Sequence, residues 1–209
     1  MLAMALPQIA SSISPEEYLR LERAAEFKSE YFAGEIFSMA GATAVHCLIT
    51  ANVIGELRNL LKGKKCRVYD SNLRVLVPAT GLYTYPDAVV VCGPLEYAEA
   101  DVQRETITNP TLLVEVLSDS TEAYNRGRKF EHFRSIASCS EYVLISQSAP
   151  LVEVYLRQAD GKWELTPVTG LDASVALRSI GGELRLAEVY DGVEFPPVPP
   201  LHVERAAGA

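Results

Sequence analysis

The chain has 209 residues, 48% of them hydrophobic, which suffices for one well-packed domain and does not call for two. It holds no run of about 18 apolar residues, which excludes a membrane-spanning helix. The net charge of -8 argues against a protein that coats DNA by bulk positive charge, although local basic patches and bound cations remain open.

In chain order, residues 1–13 are mildly apolar, lack a basic n-region and are interrupted by Pro7, so a short, poorly ordered leader is expected rather than a signal peptide. Ser14-Pro-Glu-Glu opens a helix to about residue 25, with Ser14 as N-cap, Pro15 at N1 and Glu17 completing a capping box. FKSEYFAGEIFSMA predicts a short hairpin turning at Ala33-Gly34. A second helix follows Gly41-Ala-Thr. Its apolar face is Val45, Leu48, Ile49, Val53, Leu57, Leu60 and Leu61, and Gly63 is its C-cap. Three strand-like segments come next: CRVYDSNLRVLVP, YPDAVVVCG and TLLVEVLS. Ser118-Asp-Ser-Thr-Glu then caps a third helix carrying GRKFEHFRSI. EYVLISQ, LVEVYLRQ and KWELTPV read as strands, the last two as a hairpin through Asp160-Gly161, while 171–189 gives no clear pattern. Residues 193–209 form a Pro-rich, then Ala/Gly-rich tail. The expectation is an α/β or α+β domain over 14–192 with one mixed sheet.

Cys47, Cys66, Cys92 and Cys139 form no CxxC pair, so zinc-knuckle spacing is absent. Without a secretion signal they are expected to be reduced, mostly buried thiols of a cytoplasmic protein. Two basic clusters occur: Lys62, Lys64, Lys65 and Arg67, and Arg126, Arg128, Lys129 and Arg134. The first suits the C-terminal end of a helix.

Two carboxylates interrupt apolar runs. Asp87 begins Ala-Val-Val-Val-Cys, and Glu115 lies inside Leu-Leu-Val-Glu-Val-Leu. An isolated buried carboxylate costs several kcal/mol unless it is paired, protonated or bound to a cation. By alternation Asp87 shares a face with Val89 and Val91, and Glu115 with Leu113 and Leu117. If their strands are neighbours, both can point at one spot, where a divalent cation relieves their repulsion. Oxygen-only ligands suit Mg²⁺ or Mn²⁺. The residues alone leave a second account open, with Asp87 capping a turn after Pro86 and Glu115 pairing with an arginine such as Arg74. Lys129, fourteen residues beyond Glu115 on the next helix, can return its ammonium towards the pair. On its own it would also serve as a surface lysine.

EYFAGEIFSMAGATAVH, YTYPDAVVVCG, NPTLLVEVLSDST, RGRKFEHFRSI and EYVLI together resemble the Uma2 family (DUF820) of restriction-endonuclease-like proteins, within the PD-(D/E)XK nuclease superfamily. The resemblance runs from about Ser14 to about Tyr190. It implies an αβββαβ core with a mixed central sheet and an extra N-terminal helix and hairpin. It matches Asp87 to the Asp of the Pro-Asp motif and Glu115 to the acid of the second motif. The superfamily lysine would fall at Leu117. In this family it has migrated to the next helix, where Lys129 matches. Glu35 resembles the family's upstream acid and His46 its histidine at the second helix, although the residues alone also allow an exposed hairpin glutamate and a satisfied core histidine. Asn72 and Asn125 stand where Asp is common, and Phe133 where Tyr is common. Asn keeps the shape of Asp but loses its charge.

The resemblance implies a Mg²⁺- or Mn²⁺-dependent endonuclease acting on nucleic acid, with DNA the expected substrate. Asp87, Glu115 and the Val116 carbonyl would hold the metal, Lys129 would orient the attacking water, and Glu35 and His46 would support the site. A homodimer is an expected assembly. The rival expectation is a weakened nuclease-fold module that binds nucleic acid or a protein. A structural scaffold would leave two carboxylates in apolar strands without a purpose.

Overall fold

A computed structural model describes residues 12–39 and 41–195. The leader through residue 11 and the tail from residue 196 lie outside these. The uninterrupted apolar runs form the middle of the molecule. Strands β6 (Ala88–Cys92), β8 (Leu112–Leu117) and β9 (Glu141–Ser146) are buried along almost their whole length. They lie inside a six-stranded sheet of order β11-β10-β9-β8-β6-β3, completed by β3 (Cys66–Asp70), β10 (Leu151–Arg157) and β11 (Trp163–Thr169). The sheet is mixed, with β8 and β9 parallel and the other neighbours antiparallel. A parallel pair needs a crossover. The helical stretch between β8 and β9 supplies it: α3 (Glu122–Tyr124), a π-helical turn (Asn125–Lys129) and α4 (Phe130–Phe133). With α2 (Ala44–Leu60) ahead of β3, the expected αβββαβ order is present.

Alternation gives this sheet two apolar faces. Ala88, Val90, Leu112, Val114 and Val116 pack with Ile49, Val53 and Leu57 of α2 and with the final segments of the chain. Those final segments, whose sequence gave no clear pattern, are the hairpin β12 (Ser174–Leu177) and β13 (Gly182–Arg185), then α5 (Leu186–Val189). The opposite face, with Val89, Val91, Leu113, Leu117 and Leu144, packs against Phe133, Ile136 and strands of a second sheet.

That second sheet corrects the expectation of a single one. Its order is β2-β1-β5-β4-β7, from β1 (Ser29–Phe32), β2 (Glu35–Ser38), β4 (Arg74–Val77), β5 (Leu82–Thr84) and β7 (Thr106–Ile107). The segment CRVYDSNLRVLVP supplies a strand to each sheet. Asn72 N donates to Asp70 Oδ1 at 3.0 Å and Leu73 N to Asp70 O at 3.2 Å, which turns the chain out of one sheet and into the other. The β1–β2 hairpin turns where expected. Ala33 (φ 51°) and Gly34 (φ 89°) both take positive φ, as a two-residue hairpin of this twist requires.

Helix α1 (Pro15–Ala24) starts at the expected cap, with Glu17 N donating to Ser14 Oγ at 3.2 Å. The Glu17 carboxylate takes Arg20 rather than closing the capping box. In the first basic cluster, Lys64 Nζ donates to Ile180 O and Gly181 O, so it ties the end of α2 to the β12–β13 turn.

The cysteine expectation needs correction. Cys66 and Cys92 lie opposite each other in the β3–β6 ladder and are joined by a disulfide. Cys47 and Cys139 are free, Cys47 exposed and Cys139 buried. No helix among the described residues is long and apolar enough to cross a membrane.

Candidate active site

The β6–β8 ladder runs from Val90↔Leu112 to Ala88↔Val114 and stops there. Val116 therefore has an N–H on the β6 side with no strand residue to receive it. The Asp87 carboxylate takes that place, accepting from Val116 N at 2.7 Å through Oδ2. Its other oxygen lies 2.9 Å from His46 Nε2. His46 reaches it from the first turn of α2, where the Thr43 hydroxyl accepts from His46 N at 3.1 Å and fixes the helix start. The His46 and Asp87 side chains are 17% and 16% exposed, so this end of the site opens to solvent.

Glu115 projects from the middle of β8 onto the Leu113–Leu117 face, as alternation predicts, and points at Lys129. Lys129 Nζ stands 2.7 Å from Glu115 Oε1, with the two side chains 5% and 6% exposed. The π turn helps to place it. Asn125, Lys129 and Phe133 recur at intervals of four and are all buried, while Arg126 faces outward to Glu122 and Glu153. The second basic cluster is thus divided, with its lysine inside. Arg74 is not the partner of Glu115; it bonds Thr106, Tyr85 and Asp101.

Sequence reading missed one residue. Glu30 of β1 brings Oε1 to 3.2 Å from Lys129 Nζ. The Thr84 hydroxyl donates to the same oxygen, and the Tyr124 hydroxyl to Oε2 at 3.3 Å. Glu35, the hairpin acid expected here, is exposed on edge strand β2 and makes none of these contacts. The register explains the exchange. Phe32↔Glu35 puts Glu35 beside the turn on the outer strand, whereas Glu30 lies on the inner strand that pairs with β5. Period-2 reading does mark Glu30, since it alternates with the buried Ser29 and Tyr31 on the face away from them. What it does not reveal is what that face meets.

Burial shapes the electrostatics. It raises the Glu115 carboxyl to about 8; Lys129 pulls the other way and nearby Asp87 adds to the rise. Burial alone would lower Lys129, but Glu115 and Glu30 outweigh it and hold the ammonium above its ordinary value. Glu115 Oε1 is buried, and the Lys129 ammonium at 2.7 Å is its one close cation among the described residues. Asn72 bonds Asp70 and Lys28 and touches neither acid. Asn125 lends its main-chain oxygen to Tyr142 Oη at 3.2 Å. Phe133 packs edge-on against Tyr142, with Lys129 Nζ 5.9 Å from its ring centre.

A family profile described as "Putative restriction endonuclease", Uma2, matches residues 15–188. Two Synechocystis sp. proteins of uncharacterised function are similar in sequence. One, slr1290, is 35% identical over 183 residues, covering 88% of this chain and 94% of its own. The other, sll1609, is 33% identical over 163 residues, covering 78% and 91%. A crystal structure from Anabaena variabilis, described as a "putative nuclease belonging to DUF820", superposes with a TM-score of 0.67. It is 20% identical and covers 83% of this chain and 95% of its own, a likeness of fold. The profile spans most of the chain and the sequence relatives match along most of their own length: the chain belongs to the Uma2 family.

Proposed function

We propose that this protein is a metal-dependent endonuclease that hydrolyses DNA phosphodiester bonds. The observation that carries the reading is Glu115 itself. It is a carboxylate buried in a central strand, beside Asp87, with the single Lys129 ammonium as its close partner. Such a group is costly unless a cation completes it.

The donor set fits Mg²⁺ or Mn²⁺. No group of three or more His, Cys, Asp or Glu side chains is arranged for a metal among the described residues. The expected ligands are two carboxylates and a main-chain oxygen, with water filling the rest, as a hard octahedral ion prefers. The Val116 carbonyl belongs to this set, because within a strand residue it leaves on the same edge as the N–H that Asp87 accepts. When bound, the ion would lower the pKa of a ligated water and offset charge on the phosphorus.

The chain's own residues do the rest. His46 and Val116 N hold the two Asp87 oxygens and fix the rotation of the carboxylate. Lys129 keeps its proton, orients the attacking water and offsets negative charge as it builds on phosphate oxygens. The test is cleavage of supercoiled and single-stranded DNA, with RNA alongside, in Mg²⁺ or Mn²⁺. Asp87→Ala and Lys129→Ala are each expected to lose about a hundredfold or more. Equal activity in wild type and both variants would overturn the reading.

A second reading is a weakened module that binds nucleic acid or protein. The observation favouring it is that Lys129 is held between two carboxylates rather than facing open space. Calorimetry separates the two, since a folded wild type that takes up no Mn²⁺ supports the module. We also propose a cytoplasmic homodimer, and a light-scattering mass of one chain would remove the dimer.

A further inference from the structure

We infer that Glu30 is a positioning residue that holds the Lys129 ammonium, so that Glu115 is free to take a divalent cation. The inference rests on the metal-dependent reading above. Lys129 has nowhere else to go. Its side chain is buried, with the Tyr124 and Phe133 ring centres at 6.0 and 5.9 Å and carboxylates at 2.7 and 3.2 Å. A buried ammonium that lost its only anion would be strongly destabilised. Were Glu115 that only anion, a cation on Glu115 would have to leave Lys129 unpaired. Glu30 removes the conflict.

Glu30 is built for this task. It comes from β1 in the second sheet, an element separate from both β8 and the crossover helix. Thr84 of β5 and Tyr124 of α3 donate to its two oxygens from different elements, which fixes its rotation. Oε1 is thereby turned to Lys129. Glu30 thus acts through the lysine rather than on substrate or metal.

The experiment is a double-mutant cycle read by calorimetric Mn²⁺ binding to the full chain. It compares wild type, Glu30→Gln, Lys129→Met and the double variant, with circular dichroism melts to check folding. Gln keeps the acceptor and the shape but lacks the charge. Glu30→Gln should weaken Mn²⁺ binding about tenfold in the wild-type background. In the Lys129→Met background the same change should cost less than about twofold. Glu30→Asp, which keeps the charge, should recover part of the loss and serves if Glu30→Gln does not fold. An equal loss in both backgrounds would make Glu30 a ligand or a general source of field and overturn the inference, leaving the metal reading intact. A wild type that binds no Mn²⁺ would remove both.

Discussion

Two buried carboxylates in this molecule face opposite treatment. Asp101 is fully enclosed and accepts five hydrogen bonds, from Arg23, Arg74, Gln103 N, Glu105 N and the Thr106 hydroxyl. Burial would raise it, but those donors and the two guanidinium groups hold it below the usual aspartate range. Glu115 is as well buried, yet it meets a single ammonium and is pushed up to about 8. The first arrangement completes itself and serves the fold, joining α1 to β4 and β7. The second is sparsely satisfied, and a protein that keeps such a buried acid gives up stability for something the fold does not need.

Removing the two acids is the sharpest way to break this contrast. Asp101→Ala leaves buried Arg74 with only the longer Glu105 contact at 3.7 Å and is expected to cost about 3–5 kcal/mol in urea unfolding. Glu115→Gln should change stability by less than about 1 kcal/mol at about pH 5, since Glu30 still pairs Lys129 and the amide resembles a protonated carboxyl. Equal losses would mean that Glu115 is a structural charge like Asp101.

Acid and base should act on the two with opposite sign. The Asp101 carboxyl is depressed, so its contribution is present above its ordinary value of 3.8 and is lost only as pH falls through a still lower value. The Glu115 carboxyl is raised from 4.5, so its contribution is full below 4.5 and is lost as pH rises through about 8. Between about pH 5 and 8.5 Asp101 is therefore silent. Wild type should lose about 1–3 kcal/mol more than Glu115→Gln across that interval in metal-free urea titrations. Parallel curves would show that Glu115 ionises freely.

The acid pair was legible because its signal is local. A carboxylate in an apolar run is visible without knowing the partner strand, and alternation gave the shared face. Lys129 was legible only through the family pattern, since nothing in Arg-Gly-Arg-Lys says which residue turns inward. Glu30 was not legible, because its role depends on where a separate sheet docks. Cys66 and Cys92 are 26 residues apart and meet only through the β3–β6 register. The break in CRVYDSNLRVLVP was hidden by alternation that continues across the turn at Asp70–Leu73. In each case the missing information was a contact between elements distant in sequence.

Asn72 carries the smallest expected effect and marks where the contrast ends. The resemblance drawn from the sequence implies Asp at this position, which would suggest a lost acid. Here its amide spans Asp70 and Lys28 on the β3–β4 turn, outside both charge clusters. Asn72→Asp would set a second anion beside Asp70 while strengthening the approach of Lys28, two small and opposed terms at an exposed site. Stability should shift by less than about 0.5 kcal/mol. Mn²⁺ affinity should shift by less than about twofold, because added charge at an exposed turn is screened before it reaches Glu115. A rise of tenfold or more in calorimetry would place Asn72 inside the metal's field and redraw the site to include the β3–β4 turn.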